Sequence, residues 1–182
     1  MLIGRVLVIA TTREPVLSAP VSDKRLRTLK LGSLEPSACR DIVQAWLGRD
    51  SEPPSVELID ACSSLSDGNP GRLEQTLLAF EAHRAIEREQ CEDCVRFECD
   101  DERIRCVSNL LIAERLELAG WFEFAASAYF RAAEFARRAL GPREAVSLIE
   151  RGLFVLPREN AQLAEQARRW CAAIRPEFER AS

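Results

Sequence analysis

The chain has 182 residues, which is enough for one large domain or two small ones with an adequate hydrophobic core. Hydrophobic residues make up 47% and charged residues 30% of it, the balance of an ordinary soluble globular protein. The net charge is -4 and the arginines are scattered along the chain. This argues against a nucleic-acid-binding surface, because such a surface needs a clustered basic face.

The expected compartment follows from the apolar runs and the cysteines. No run approaches the roughly 18–20 residues of a membrane span. Residues 1–12 are apolar, but they carry Arg5 and lack the small-residue cleavage pattern of a signal peptide. Seven cysteines are an odd number in a chain without an export signal. We therefore expect a cytoplasmic protein with reduced thiols.

Two strands are predicted in residues 1–34. Residues 2–10 contain a short apolar and β-branched run, typical of a strand buried on both faces. Residues 15–23 are rich in Pro and Ser and predict a loop. Residues 25–31 alternate polar and apolar side chains, as a half-buried or edge strand does. Two strands alone are marginal in water, so other elements must cover them.

Three short helices are predicted between residues 35 and 85. Ser33 is the expected N-cap of the first helix, and Pro36 fits its first turn. Four residues of this helix share one apolar face: Ile42, Val43, Trp46 and Leu47.

The segment Asp67–Glu74 predicts the turn between the second and third helices. Gly68 suits a left-handed cap at the end of the second helix. Asn69 is the expected N-cap of the third helix, and Pro70 its first residue, because proline lacks the N–H that has no partner there.

Residues 86–106 are charged and cysteine-rich, and we expect them to form a helical connector. Four cysteines there follow the spacing C-x2-C-x4-C-x6-C, and the first pair is spaced as in zinc or iron–sulfur sites. At about 100° per residue on a helix the four also fall within roughly 140°, as a buried apolar stripe does. We favour core cysteines and assign no metal ligand, and a zinc-binding module remains an alternative. The four are Cys91, Cys94, Cys99 and Cys106.

Residues 107–182 are rich in alanine and predict long, closely packed helices. Small residues let neighbouring helices approach, and aromatic residues fill the gaps between pairs. The spacing of these residues resembles that of a tetratricopeptide repeat. The offset from Ala125 to Ala145 is 20 residues, whereas a regular array repeats about every 34 residues, so the repeat is degenerate. The residues that carry the resemblance are Ala113 and Leu116, then Gly120, Phe122, Ala125, Tyr129 and Ala132.

Two earlier segments resemble the back half of an AAA-related signalling ATPase of the STAND class. The strand that ends in Thr12 and Arg13 resembles the sensor 1 strand. The Gly68-Asn69-Pro70 helix start, some 55 residues later, resembles the Gly-x-Pro turn of the small lid domain that touches the nucleotide.

This resemblance implies a mainly α fold in four parts. Residues 1–34 would be a two-strand remnant of an α/β ATPase sheet, and residues 35–85 a three-helix lid. Residues 86–106 would be the connector, and residues 107–182 a region of tetratricopeptide-like helical hairpins.

The resemblance also implies which residues would contact a nucleotide. Thr12 and Arg13 would lie near the γ-phosphate, Pro70 would pack on the adenine side, and Arg72 would be a sensor 2-like contact. The family turn is usually followed by apolar residues, whereas Gly71-Arg72 follows here. An ordinary helix start and a solvated arginine account for the same residues without a nucleotide. The implied positions are Thr12, Arg13, Gly68, Asn69, Pro70 and Arg72.

Catalysis by this chain is not expected. No G-x-x-x-x-G-K-[ST] loop occurs in the sequence, and no apolar strand ends in paired acids. His83 is the one histidine and lies among charged residues, so we expect it to be solvated and not paired with a nucleophile. We assign no catalytic residue. The three tryptophans, which we expect in the core, are Trp46, Trp121 and Trp170.

The expected function is regulatory. The chain would be a non-catalytic part of a STAND-type ATPase, coupling a nucleotide-sensing lid to a protein-binding helical arm in signal transduction or transcription regulation. It would need no cofactor alone, and ATP or ADP is implied only for a full-length ATPase. A protein partner is expected on the helical region, with self-association through residues 2–12 and no nucleic-acid or membrane contact. The alternative is a free-standing helical adaptor with no nucleotide role.

Overall fold

The computed structural model describes residues 32–48, 53–90 and 95–181, and residues 33–182 form one compact unit. The described chain is mainly helical, as expected, with a two-stranded antiparallel sheet. The strands predicted in residues 2–10 and 25–31 lie outside the described residues. Within the described ranges, no helix is both long and apolar enough to cross a membrane. The elements are α1 Pro36–Leu47, α2 Val56–Ser66, α3 Pro70–Ala82, β1 Ile86–Gln90, β2 Val95–Cys99, α4 Asp101–Leu118, α5 Phe122–Ala139, α6 Pro142–Val155 and α7 Ala161–Ala181.

Helices α1 to α3 form a three-helix unit whose ends are set by local capping. The predicted N-cap of α1 at Ser33 is wrong: Glu35 holds the cap position, with Pro36 as the first helical residue. Ser55 caps α2, and its hydroxyl accepts a hydrogen bond from the N–H of Leu58. The three helices enclose a first core, which includes Val43, Leu47, Leu58, Leu73, Leu77 and Phe80.

The turn between α2 and α3 confirms the predicted cap. Gly68 has a φ of 68°, and Asp67 before it is also left-handed at 50°. The Gly68 carbonyl accepts a 2.7 Å hydrogen bond from the N–H of Leu34. A Cβ on Gly68 would lie 2.6 Å from the Cβ of Ser33. Glycine therefore lets the segment before α1 pack against this turn.

The segment after α3 corrects the sequence prediction, because residues 86–90 and 95–99 form paired antiparallel strands and not a helical connector. The strands pair with Ile86 opposite Cys99 and Gln90 opposite Val95. Ile86 is buried beside exposed Glu87, and Cys99 packs on the first core beside exposed Glu98. This period of two suits a strand with one face on the core. Cys99 therefore lies on a strand and does not share one helical face with Cys106.

Helices α4 to α7 form a helical arm in which each helix packs on the next one along the chain. Short turns at Gly120 and Gly141 make consecutive helices antiparallel. At Gly152 an added Cβ would lie 2.5 Å from Cε1 of Phe130, so glycine permits the close approach of α6 to α5. Small residues dominate the buried face of α5, as the sequence predicts: Ala125, Ala126, Ala128, Ala132, Ala133 and Ala136.

Helix α4 belongs to both parts of the compact unit. Ile104 and Val107 are buried in the first core, while Cys106 is buried in a second core shared with α5, α6 and α7. The predicted boundary between residues 106 and 107 therefore falls inside one continuous helix. Polar contacts add to this link between α2 and α4: Ser55 Oγ to Asp101 Oδ1 at 2.7 Å, Arg105 Nη2 to Glu57 Oε1 at 2.6 Å, and Arg115 Nη1 to the Leu65 carbonyl at 2.7 Å.

Candidate functional site

The residues expected to touch a nucleotide lie in two places. Thr12 and Arg13 are outside the described residues. Asn69, Pro70 and Arg72 are exposed at the start of α3. The side-chain oxygen of Asn69 accepts from the N–H groups of Gly71 at 2.9 Å and Arg72 at 3.1 Å, which is ordinary N-capping. The guanidinium of Arg72 forms no ion pair with a described residue.

A groove with a volume of about 770 Å³ lies between α5 and α7. Phe130 and Trp170 form its apolar part, and both are half-buried against the second core. Five residues of α5 and one of α7 line it: Phe130, Arg131, Glu134, Arg137, Arg138 and Trp170.

Charge distinguishes this α5–α7 groove from the rest of the acidic chain. Three of its lining side chains are guanidinium groups and one is a carboxylate. Arg138 Nε lies 3.2 Å from Glu102 Oε2, and its Cζ lies 5.2 Å from the ring centroid of Phe135. Arg131 and Glu134 are exposed and form no ion pair within the described residues. The groove can therefore attract a carboxylate while its aromatic side chains pack on an apolar one.

A smaller cavity of about 300 Å³ lies where α3 ends, between α4 and the start of α6. His83 and Cys106 both line it. Burial raises the pKa of the Cys106 thiol to about 11, so the thiol is protonated and is a poor nucleophile. Arg103, at the rim, already contacts Glu87 at 3.3 Å and the Arg84 carbonyl at 3.2 Å. The Cys106 thiol in this cavity is therefore not an activated nucleophile.

A polar network that sequence reasoning missed ties α4, α5 and α6 together. Tyr129 is buried, and its hydroxyl donates to Glu117 Oε2 at 2.8 Å. Arg151 Nη2 donates to the other oxygen of Glu117 at 2.6 Å. Burial is the main cause that raises the pKa of Tyr129. These contacts fix the helices beside one another and leave no group poised for proton transfer.

The tryptophans are only partly where the sequence placed them. Trp46 and Trp170 are half-buried and pack against the first and second cores. Trp121 contradicts the expectation of a core position, because it is 60% exposed at the turn between α4 and α5. His83 is exposed, as expected.

Of the four clustered cysteines, the structure describes Cys99 and Cys106, and these two pack in different cores. Cys91 and Cys94 lie outside the described residues. Cys99 packs on the first core, whereas Cys106 is part of the second. Cys62 is buried, and burial, followed by Cys39 and Cys99, raises the pKa of its thiol to about 12. In the ranges that the structure covers, no three His, Cys, Asp or Glu side chains group as metal ligands would.

Comparisons with known proteins add no relative: no protein-family model matches the chain, and no match was found among curated proteins or solved structures.

Proposed function

We propose that this chain is a non-catalytic interaction module whose α5–α7 groove binds an acidic segment of a partner protein. The observation that carries the proposal is the groove itself, with three arginines and two aromatic side chains on a chain of net charge -4. Acidic segments bind basic grooves through charge-assisted hydrogen bonds to arginine. Aromatic residues and arginine are also the side chains that most often dominate interface energies.

The second part of the proposal is that the three-helix unit responds to the arm. Helix α4 supports this, because Ile104 and Val107 lie in the first core and Cys106 lies in the second. A partner that stabilises α5 and α7 also stabilises the cores that they share with α4. Because α4 is part of the first core as well, the three-helix unit is stabilised in turn. In a STAND-type ATPase the three-helix unit would be the lid that senses nucleotide, and the arm would report on it in signal transduction or transcription regulation.

The alternative is a free-standing adaptor in which the groove works without any nucleotide. The groove residues are the same in both cases, so binding of a peptide does not separate them. A phosphate-binding loop encoded in frame upstream of Met1 supports the ATPase assignment. An upstream stop codon before any such loop supports the adaptor.

The groove is tested with fluorescein-labelled peptides of about ten residues, each with a central Phe and with zero, two or four Asp or Glu residues. Fluorescence anisotropy with the full chain measures Kd at low and high salt. We expect affinity to rise with the number of acidic residues and to fall with salt, because exposed charges are screened. Equal binding of neutral and acidic peptides would contradict the proposal.

A matched pair of charge reversals places the binding site. Arg131→Glu changes the groove, while Arg143→Glu makes the same change on exposed α6, outside it. We expect Arg131→Glu to raise the Kd for the four-acid peptide by at least about tenfold, which corresponds to roughly 1.4 kcal/mol of binding free energy. Arg143→Glu should have a much smaller effect. A larger effect of Arg143→Glu than of Arg131→Glu would show that the peptide does not bind in the α5–α7 groove.

A further inference from the structure

The turn between α4 and α5 presents four large apolar side chains to solvent. The rings of Trp121 and Phe124 lie 6.0 Å apart, centroid to centroid. We call residues 118–124 the aromatic turn. Its exposed apolar side chains are Leu118 at 90%, Trp121 at 60%, Phe122 at 47% and Phe124 at 63%.

These side chains are not needed to close the turn. Backbone hydrogen bonds already close it, from Gly120 N–H to the Glu117 carbonyl at 3.0 Å and from Trp121 N–H to the Leu116 carbonyl at 2.9 Å. The helices beneath it are held by buried Ala113, Ala128 and Tyr129. Polar residues in place of the exposed apolar ones would form the same turn, so the fold does not explain the aromatic side chains.

The size of the patch fits a specific protein interface. A buried aromatic side chain covers about 150–250 Å², so the exposed parts of these four residues present on the order of 450 Å². Protein interfaces are roughly 60% apolar. The patch is therefore close in area to the apolar share of a standard interface, which is about 60% of roughly 800 Å² per partner.

Charge limits the kind of partner. Glu123 is exposed within the aromatic turn and forms no ion pair with a described residue. On neighbouring turns, Arg115 donates to the Leu65 carbonyl and Arg151 pairs with Glu117. Phosphate groups of lipids or nucleic acids need available cations, which this surface does not offer. An apolar protein surface fits it.

We propose that the aromatic turn is a homodimer interface, in which two copies of this chain bury their patches against each other around a two-fold axis. In such an arrangement one patch is its own complement, so all of the exposed apolar side chains are covered at once. The apolar area available on each copy is similar to the apolar share of a standard interface, and no charged partner is required. This inference is independent of peptide binding in the α5–α7 groove.

The two-fold arrangement has an electrostatic signature. Both copies of Glu123 border the same apolar centre, so their carboxylates repel one another. Added salt screens this repulsion and strengthens the dimer, whereas salt weakens binding of an acidic peptide to the groove. Glu123→Gln removes the repulsion and should tighten the dimer at low salt by about twofold or more, with little further gain from salt.

Sedimentation velocity of the full chain tests the interface, from about 1 to 200 µM protein, because dimerisation depends on protomer concentration. The decisive variant is the double change Trp121→Ser with Phe124→Ser. Its control is Leu78→Ser, which likewise replaces a large apolar side chain, one that is 51% exposed on α3 and distant in sequence from the turn. Leu7→Lys tests the separate expectation of self-association through residues 2–12. All are compared at about 50 and 300 mM salt.

We expect a monomer–dimer equilibrium that the double variant weakens at least tenfold, while Leu78→Ser and Leu7→Lys leave it within about twofold. A tenfold change corresponds to roughly 1.4 kcal/mol. A monomer at every concentration overturns the inference, as does a dimer that the double variant leaves intact. Loss of the dimer with Leu7→Lys alone assigns the interface to residues 2–12 and also overturns it. The changes at Trp121 and Phe124 affect exposed side chains, so the double variant should keep the parent melting temperature at concentrations where the parent is a monomer. Glu123→Gln tests the interface without removing apolar surface.

Discussion

Gly68 and Gly71 lie three residues apart but differ in whether the structure can accept a Cβ there. At Gly68 the φ is 68° and a new Cβ would lie 2.6 Å from Ser33 Cβ. At Gly71, in the first turn of α3, a Cβ would lie 3.4 Å from Asn69 Oδ1, an ordinary contact. We expect Gly68→Ala to lower the free energy of unfolding by about 1–3 kcal/mol, and Gly71→Ala to leave it unchanged or raise it by up to about 1 kcal/mol. Urea unfolding of the two variants measures both values.

This pair also tests the packing of the segment before α1 on the turn. If Gly68→Ala were as stable as Gly71→Ala, Ser33 and Leu34 would not pack against Gly68 as described. A loss in both variants would instead point to a general intolerance of α3 to substitution.

The buried thiols predict how the protein responds to alkali. Burial raises the pKa of Cys62 from 9.0 to about 12 and that of Cys106 from 9.0 to about 11. A folded-state pKa above the unfolded value favours the folded state below pH 9.0, and this contribution is lost as pH rises towards 11 and 12. We therefore expect the urea concentration at the unfolding midpoint to decrease as the pH is raised from 9.0 to 11. The double change Cys62→Ala with Cys106→Ala should reduce that fall, and an unchanged pH dependence would contradict the assignment.

At the scale of the element, helix α5 tests the close packing of the arm. Ala125 and Ala132 are fully buried, whereas Glu134 on the same helix is exposed. Ala125→Leu or Ala132→Leu overfills a tight helix interface and should cost about 1–3 kcal/mol. Glu134→Leu should stay within about 0.5 kcal/mol. Thermal unfolding followed by circular dichroism measures all three. If the alanine variants melt like the parent, α5 does not pack as closely as described.

Elements whose boundaries depend on neighbouring residues were the ones that sequence could predict. Asn69 and Pro70 start α3 because a side-chain cap and a proline at the first position act within a few residues. The hairpin of β1 and β2 was missed because its charged residues look helical in a short window. Its strands are set by the burial of Ile86 and Cys99 against a core formed by distant helices.

The candidate groove could not be predicted from the sequence because its parts are far apart in it. Arg131 and Trp170 come together only when α6 sets α7 beside α5. Alanine spacing predicts close helix packing but not which face of α5 stays open. Trp121 shows the same limit: its apolar neighbours favour a core position, yet the turn at Gly120 directs it to solvent. The positions implied for a nucleotide, such as Arg72, depend on a resemblance that these contacts do not test.

At the scale of the whole molecule, we predict that this chain alone neither binds nor hydrolyses ATP. The sequence contains no glycine-rich loop to hold the phosphates and no paired acids to hold magnesium. Isothermal titration calorimetry with ATP and magnesium should show no binding. Micromolar affinity would contradict this prediction. The variants Arg13→Ala and Arg72→Ala would then show whether those arginines form the site.

We propose that a partner bound in the α5–α7 groove stabilises the three-helix unit through α4. Hydrogen–deuterium exchange of the full chain, with and without a saturating concentration of the four-acid peptide, measures this coupling. We predict slower exchange in α5 and α7 and also in α4, α2 and α3, because the cores share α4. In Arg131→Glu, at the same peptide concentration, these changes should be largely absent. Protection confined to α5 and α7 would contradict the coupling, and no change in any helix would contradict the account.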